Sequence, residues 1–224
     1  MRLYYFTKQQ YGLQAIRDRR LKIARVNELN DPFEFIGVRL FPAERRALMN
    51  WKNDMHLGYG LICMSETWQH PLQWAHYADG YKGLCLGIDV PESHAASVEY
   101  ISERPKLDEL GVRSLSQLAG PEMHRLLHLK FDAWAYEHER RLFCRLEQRD
   151  PVTGLYFADF TDELQLAEVI VGPRSDVSHE QLSDVIRGRY ERPIPTRKAR
   201  AAFQTFEVVE NRSRKIWPRD TGAT

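Results

Sequence analysis

The sequence predicts an α+β fold: a single domain over residues 1–210, with a mixed, mostly antiparallel sheet and flanking helices, followed by a polar tail at 211–224. Three observations lead to this prediction. A chain of 224 residues is long enough for one generous domain with a full hydrophobic core. Strand-like and helix-like apolar patterns are interspersed along it. It has no internal repeat or low-complexity linker, and its one polar excursion, residues 103–120, has predicted strands on both sides.

In the first half of the chain, strands are predicted from aromatic content, from alternation, or from an uncharged apolar run. Helices are predicted from helical spacing of apolar residues. Pro71 and Gly80 bracket the third helix at positions typical of a helix start and end. Gly87, within a strand, indicates the close approach of a backbone or a ligand. In chain order the elements are strand 2–6, helix 9–20, strand 21–26, helix 41–55, strand 59–65, helix 72–79 and strand 84–90.

The same patterns continue in the second half. The longest predicted helix, 122–138, has an apolar stripe that takes in Lys130 and Trp134. The strand at 140–146 alternates, so Leu142 is expected to point inward and Arg141 to lie on the opposite face. In chain order the elements are strand 97–102, helix 122–138, strand 140–146, strand 154–160, strand 164–172, helix 178–189 and strand 203–209.

Composition disfavours several classes of partner and location. The formal net charge is +1, which gives no overall attraction to nucleic acid or to an acidic membrane, and neither is expected as a partner. No apolar run is long enough to span a bilayer, and the N-terminus lacks the features of a signal peptide. The chain has 3 cysteines and no CxxC pair, which favours a reducing cytoplasm over a disulfide framework. The oligomeric state stays open.

Residues 65–90 are the densest in groups that can bind a ligand. Trp74 and Tyr77 lie three residues apart on the predicted helix and would offer aromatic faces to a planar ring. The alternative is a helix that buries both rings in the core. The candidate ligand-binding residues here are Ser65, Trp74, Tyr77 and Lys82, with His76 as a candidate catalytic group.

The NDPFE turn supplies a second group of candidates. Asn30, Asp31 and Glu34 would present polar groups to a ligand. Such a turn can equally satisfy its own backbone, with Phe33 and Phe35 packed in the core.

Further carboxylates follow later in the chain. Glu137 and Glu139 lie close to Arg141 in the sequence. A carboxylate beside an arginine could act as a catalytic base or bind ribose or phosphate. The alternative is an ion pair that only fixes the helix-to-strand junction. Glu168 interrupts an apolar strand. A carboxylate there is costly to bury without a partner, so Glu168 either faces a cleft or is an outward residue.

Common catalytic motifs are absent. The sequence has no GxGxxG, Walker, HExxH or GxSxG pattern, and its histidines lack the spacing of a zinc site. A nucleophilic pair of Cys63 and His76 is disfavoured, because the apolar run around Cys63 would raise the pKa of its thiol. The residues alone therefore name no reaction and no cofactor.

Several uncommon words nevertheless occur in a set order. They are LNDPFE (29–34), CMSETWQHPLQWAHYADGYKGLCLGIDV (63–90), VEY (98–100), KFDAWAYEHERR (130–141) and EVIVGP (168–173). This series resembles a bacterial domain-of-unknown-function family marked by NDPFE, W-x-HYAD-x-x-KG-x-C-x-G and W-x-YE-x-E-x-R blocks. The likeness runs from about residue 3 to about residue 190 and implies no activity.

A second likeness, at the level of fold, is to ADP-ribosyltransferases. Those enzymes carry a His or Arg on an early strand, a second strand that ends in Ser or Tyr, and a Glu on a late strand. The similar segments here are 3–7, then 59–65 with Tyr77 following, then Glu168, although Tyr4 and Tyr5 stand where His or Arg is expected. The likeness implies NAD as a substrate.

The first functional hypothesis is an NAD- or nucleotide-handling enzyme of this type, acting as a toxin or phage-defence effector. Trp74 and Tyr77 would stack the nicotinamide. One of Glu137, Glu139 and Glu168 would stabilise the positive charge that develops on the ribose.

Two alternatives remain open. One is a non-catalytic module that binds a small molecule or a protein, for which the carboxylates should be held in ion pairs. The other is a metal-dependent nuclease that uses Asp31, Glu34 and Glu137, which the near-neutral net charge disfavours.

Overall fold

The computed structural model describes residues 1–218, apart from the side chain of Ala43. Helices and strands are mixed along this range and most strand pairs are antiparallel, which confirms the predicted α+β class. The strands are β1 (Arg2–Thr7), β2 (Arg20–Arg25), β3 (Tyr59–Ser65), β4 (Leu84–Asp89), β5 (Ala96–Ser97), β6 (Glu99–Ile101), β7 (Leu129–Phe131), β8 (Glu139–Arg145), β9 (Tyr156–Asp159), β10 (Gln165–Val171), β11 (Thr196–Ala201) and β12 (Val208–Glu210). The α-helices are α1 (Gln9–Asp18), α2 (Pro42–Gly58), α3 (Pro71–Tyr77), α4 (Gly120–His128) and α5 (His179–Ile186).

The chain divides into two compact units. Unit 1 comprises Met1–Leu21, Met64–Glu92 and the described residues from Ala158 onward. Unit 2 comprises Lys22–Cys63 and Ser93–Phe157.

In unit 1, β4 lies between β1 and β10 in the sheet order β12-β11-β10-β4-β1. Both of its pairings are antiparallel, and the pairing with β1 runs from Arg2↔Asp89 to Thr7↔Leu84. Helix α1 packs against β4 and α5, while α3 packs against β1. Residues 84–88 are therefore buried throughout, as expected for an apolar strand covered on both faces.

The Lys82-Gly83 turn of unit 1 is built by close backbone packing. A Cβ atom on Gly83 would lie 2.1 Å from the carbonyl oxygen of Thr7, and one on Gly172 would lie 2.3 Å from that of Tyr81. These contacts exclude any larger residue at either position. The two glycines thus fix the turn against the ends of β1 and β10.

The described part of the predicted polar tail, residues 211–218, packs on unit 1. Trp217 is buried, and its Nε1 donates a hydrogen bond of 3.0 Å to Oγ1 of Thr196. Its ring meets that of His179 edge-on, with 5.2 Å between centroids. The rest of that tail, 219–224, lies outside the described residues.

Unit 2 has β3 paired with β2 and β8, and β8 paired in turn with β5. A separate parallel pair joins β6 and β7, with Tyr100 opposite Lys130. One hydrophobic cluster packs Leu48 of α2 against Leu126 of α4. Another surrounds Phe35 and Leu61.

The predicted helix 122–138 is wrong in its second half. Helix α4 ends at His128, β7 follows at once, and Asp132–Glu137 forms a 3₁₀ helix. Lys130 and Trp134 do have helical spacing. The backbone at Lys130 is nevertheless a strand, because this segment pairs with β6 and the strand places the Lys130 ammonium beside carboxylates. Tertiary contacts have overridden a local pattern.

The predicted strand 203–209 is confirmed only at 208 and 209, where β12 begins, and is wrong at 203–207. The strands are β11 and β12, joined as an antiparallel hairpin. Phe203 and Phe206 lie in the connection and are 92% and 98% exposed. The aromatic content of this segment mimicked a strand, whereas β11 is basic and was missed because it lacks an apolar pattern.

Candidate functional site

Five charged side chains are buried together in unit 2. We call them the charged cluster: Glu34, Lys130, Glu137, Glu139 and Arg141. Glu34 comes from the NDPFE turn, Lys130 from β7, Glu137 from the end of the 3₁₀ helix, and the last two from β8. Long-range folding thus brings Glu34 of the NDPFE turn together with Glu137 and Glu139, which the sequence analysis treated as a separate set of candidates.

Lys130 is held by three carboxylates. Its Nζ donates to Oε2 of Glu137 at 2.5 Å and to Oε2 of Glu139 at 2.7 Å, and it lies 3.4 Å from Oε1 of Glu34. All four side chains are buried. Such a cation is tolerated in a protein interior only because its charge is matched by these partners.

Arg141 completes the cluster. Its Nη2 donates to both carboxylate oxygens of Glu34 at 2.8 Å, and its Nε donates to Oε1 of Glu139 at 2.8 Å. A further bond of 2.7 Å runs from Nη1 to the carbonyl of Leu127. Arg141 is only 1% exposed, although it lies on the strand face opposite Leu142, because both faces of β8 are covered.

The cluster shifts its own pKa values in opposite directions. Burial alone would raise the pKa of Glu139, but the charges and hydrogen bonds of Arg141 and Lys130 outweigh burial and lower that pKa to about 2. For Glu34 burial prevails over the same two cations, so its pKa is raised. Burial lowers the pKa of Lys130, yet Glu139, Glu137 and Glu34 more than reverse this. Glu139 is therefore ionised at neutral pH, and Lys130 is charged.

Two further buried charges lie beside the cluster, one from the NDPFE turn and one from α2. Asp31 is 5% exposed, and its Oδ1 accepts a hydrogen bond of 2.8 Å from the amide of Phe33. Lys52, from α2, donates to the carbonyl of Glu34 at 2.7 Å and attracts Asp31 electrostatically. The turn does satisfy part of its own backbone, but it also carries Glu34 into the cluster.

A cavity of about 240 Å³ opens beside these charges. Asp31, Glu34 and Lys130 contribute to its lining, with Ile101 and Leu129 as apolar walls. Phe33 and Phe131 also line it and are 57% and 51% exposed. The cavity thus joins buried charge to an aromatic rim, a combination typical of small-molecule sites.

Glu168 belongs to a separate arrangement in unit 1. It is 3% exposed, so it is a buried residue of its strand. Its Oε1 accepts from Nη1 of Arg2 at 3.2 Å and from the hydroxyl of Tyr4 at 3.3 Å, and its Oε2 lies 2.9 Å from Nε of Arg197. Gly87 leaves room for it, because a Cβ there would lie 2.6 Å from Cγ of Glu168.

The candidates on and around α3 also lie in unit 1. Trp74 is fully buried, and its Nε1 donates to the carbonyl of Trp68 at 2.6 Å. Ser65 accepts from Nε2 of Gln73 at 2.9 Å. Tyr77 is half-buried, whereas His76 and Lys82 are exposed. Trp74 therefore packs as a core residue of unit 1.

Sequence reasoning missed Lys130, Lys52 and the rim residue Phe131. Lys130 was placed in an apolar helical stripe, and a cation at such a position is itself a signal that buried carboxylates are nearby. Phe33 was considered only as a core residue, and no local pattern distinguishes it from Phe35, which is buried.

In residues 1–218, no group of three or more His, Cys, Asp or Glu side chains is arranged to hold a metal ion. No helix in that range is long and apolar enough to cross a membrane. In comparisons with known proteins, the chain matches no family model, no curated protein and no solved structure.

Proposed function

We propose that the protein is a non-catalytic module that binds a small molecule in the cavity of unit 2. The observation that carries this proposal is the ion pairing of the carboxylates beside the cavity. Both oxygens of Glu34 accept from Arg141, and Glu137 and Glu139 accept from Lys130. A general base needs a lone pair directed at its substrate, and these carboxylates direct theirs at buried cations.

The cavity is suited to recognition. Ion pairs hold Glu34 and Lys130 of its lining in place. A rigid polar lining with apolar walls gives a ligand orientation and affinity without chemistry. At about 240 Å³, the cavity is below the range of about 300–1,000 Å³ that accommodates drug-sized ligands. We therefore expect a ligand the size of a single ring.

Blocking the opening of the cavity should abolish ligand binding while leaving the fold intact. Ser102 lines the cavity and is exposed, so the side chain of Ser102→Trp can cover the opening without disturbing the core. In a single-ring fragment screen by two-dimensional ¹⁵N–¹H NMR, at least one fragment should give saturable shifts at the amides of Gly37, Ile101 and Ser102. The Ser102→Trp protein should lose this binding.

The matched control is Ser97→Trp, at an exposed strand position of the same unit outside the cavity lining. It should keep the affinity within about twofold of the wild-type value, since it changes no group that touches the ligand. A screen in which no fragment shifts the cavity amides at millimolar concentration would reject the proposal.

A second candidate is the NAD-consuming, ADP-ribosyltransferase-like activity. It is supported by one row of residues across adjacent strands of unit 1, in which Ser65 pairs with Tyr4, Tyr4 with Gly87, and Gly87 with Glu168. Residues paired directly across strands point to the same face of a sheet. The early-strand, second-strand and late-strand positions of that enzyme layout therefore share one face.

Under this candidate, the protein should release nicotinamide from NAD, and Glu168→Gln should reduce the rate by at least tenfold, because its carboxylate would no longer stabilise the charge on the ribose. The matched control is Asp89→Asn, which alters another partner of Arg2 and should keep most of the activity. Release would be followed by chromatography with and without cell lysate. If no nicotinamide appears and NAD does not raise the melting temperature, this candidate is rejected.

A further inference from the structure

The charges buried in unit 2 do not balance. Its buried carboxylates are Asp31, Glu34, Glu137 and Glu139, and its buried cationic side chains are Lys52, Lys130 and Arg141. Within the described residues of the unit, four negative charges therefore face three positive ones.

Asp31 is where the excess faces the cavity. Lys130 and Arg141 each pair directly with Glu34 and Glu139, whereas no residue in the described range forms an ion pair with Asp31. Its one direct partner is the amide of Phe33, and the Nζ of Lys52 is bonded instead to the carbonyl of Glu34. The carboxylate of Asp31 is only 5% exposed. A buried carboxylate is stabilised strongly by any cation that reaches it.

The rim of the cavity carries an aromatic ring that is already paired with a cation. The guanidinium of Arg104 lies over the ring of Phe33, at 5.2 Å from the centroid. Both residues line the cavity. A positive group over an aromatic face is attracted by the ring quadrupole, so Arg104 covers one face of Phe33 and Phe131 is left as the other exposed ring of the rim.

From these observations we infer that the cavity of unit 2 binds a small organic cation, a primary ammonium or guanidinium group on a single-ring apolar body. The charged group pairs with Asp31, and the apolar body lies against Ile101 and Leu129 and between the exposed rings of the rim. This inference rests on the proposed function and adds the class of ligand.

Three probes of similar size and different charge test the inference. Benzylamine is cationic at pH 7, benzyl alcohol is neutral and phenylacetate is anionic. We expect benzylamine to bind at least tenfold more tightly than benzyl alcohol and phenylacetate to bind most weakly, measured by NMR titration of the cavity amides. Raising the salt concentration should reduce the difference in affinity between benzylamine and benzyl alcohol only slightly, because a buried ion pair is poorly screened.

The variant Asp31→Asn isolates the charge. Its amide oxygen can still accept the bond from Phe33, so the turn is retained, while the preference for benzylamine over benzyl alcohol should fall to about twofold or less. Glu99→Gln is the control, since Glu99 is an exposed carboxylate of the same unit that is paired with Arg125 and lies outside the cavity lining, and it should preserve the preference.

The outcomes separate the inference from the proposed function. If benzyl alcohol or phenylacetate binds as tightly as benzylamine, the cavity is a binding site and only the cation inference is overturned. A preference for benzylamine that survives Asp31→Asn also overturns it. If none of the probes, and no fragment, shifts the cavity amides, both fail together. The comparison of probes on the wild-type protein decides the matter even if Asp31→Asn does not fold.

Discussion

Replacing Arg141 with Met is expected to lower the free energy of unfolding by about 3–5 kcal/mol. The guanidinium is fully buried and forms the only direct hydrogen bonds that the described residues offer to the carboxylate oxygens of Glu34. Met has a similar length and no charge, so little packing is lost. What remains is a buried Glu34 whose nearest cation is Lys130 at 3.4 Å, and an uncompensated buried charge is strongly destabilising.

Urea denaturation at pH 7, followed by circular dichroism, would measure this loss. Arg145→Met is the matched control, because Arg145 ends the same strand but is exposed, and surface substitutions of this kind usually change stability by about 0.5 kcal/mol or less. Equal stabilities of the two variants would show that the charged cluster does not hold unit 2 together. Adding Glu34→Gln to Arg141→Met should recover part of the loss, since it removes the charge left unpaired.

Strands β4 and β10 of unit 1 could be predicted because their apolar runs reflect burial on both faces. Leu84, Leu86 and Ile88 needed no knowledge of their neighbours to be placed in a buried strand. These features depend on local composition, and local composition is what a single sequence records.

The partners of the buried charges could not be predicted in the same way. Glu168 is paired with Arg2, which is 166 residues away, and Arg141 with Glu34, which is 107 residues away. Which cation meets which carboxylate depends on strand order and register, and these are properties of the whole fold. The sequence singled out Glu34, Glu137, Glu139 and Arg141 as candidate catalytic or ligand-binding residues. It did not indicate that they would satisfy one another around Lys130.

The error at Lys130 has the same origin. A stripe that includes Lys130 and Trp134 fits a helix, and only the parallel pairing of Tyr100 with Lys130 places the ammonium among its carboxylates. In a helix continuing from α4, Lys130 would not pair with Tyr100, and its ammonium would not be placed among these carboxylates. The strand conformation and the charged cluster therefore depend on each other, and neither is apparent from the segment alone.

That dependence should appear as sensitivity to acid. The pKa of Glu139 falls from an ordinary value of 4.5 to about 2 in the folded protein. A carboxylate with a lowered pKa contributes stability that is fully present above its unfolded-state pKa and is lost as the pH falls through its folded-state pKa. The wild-type protein should therefore lose about 3 kcal/mol of unfolding free energy from this residue as the pH falls from about 5 to about 2. Glu34 acts in the opposite sense, because its raised pKa gives stability below its unfolded-state pKa that is lost as the pH rises through its folded-state pKa, so it does not add to the acid loss.

Glu139→Gln removes the titrating group and should flatten the profile over that range. At pH 7 the variant should be less stable than the wild type, because Arg141 and Lys130 lose a charged partner, and the two proteins should converge as the pH approaches 2. Glu147→Gln, at an exposed position just after β8, should give a profile parallel to that of the wild type. Urea denaturation at half-unit steps of pH would measure all three. Parallel profiles for Glu139→Gln and the wild type would mean that Glu139 gains no stabilisation from Lys130 and Arg141 on folding. The charged cluster would then be a consequence of burial and would not stabilise β8.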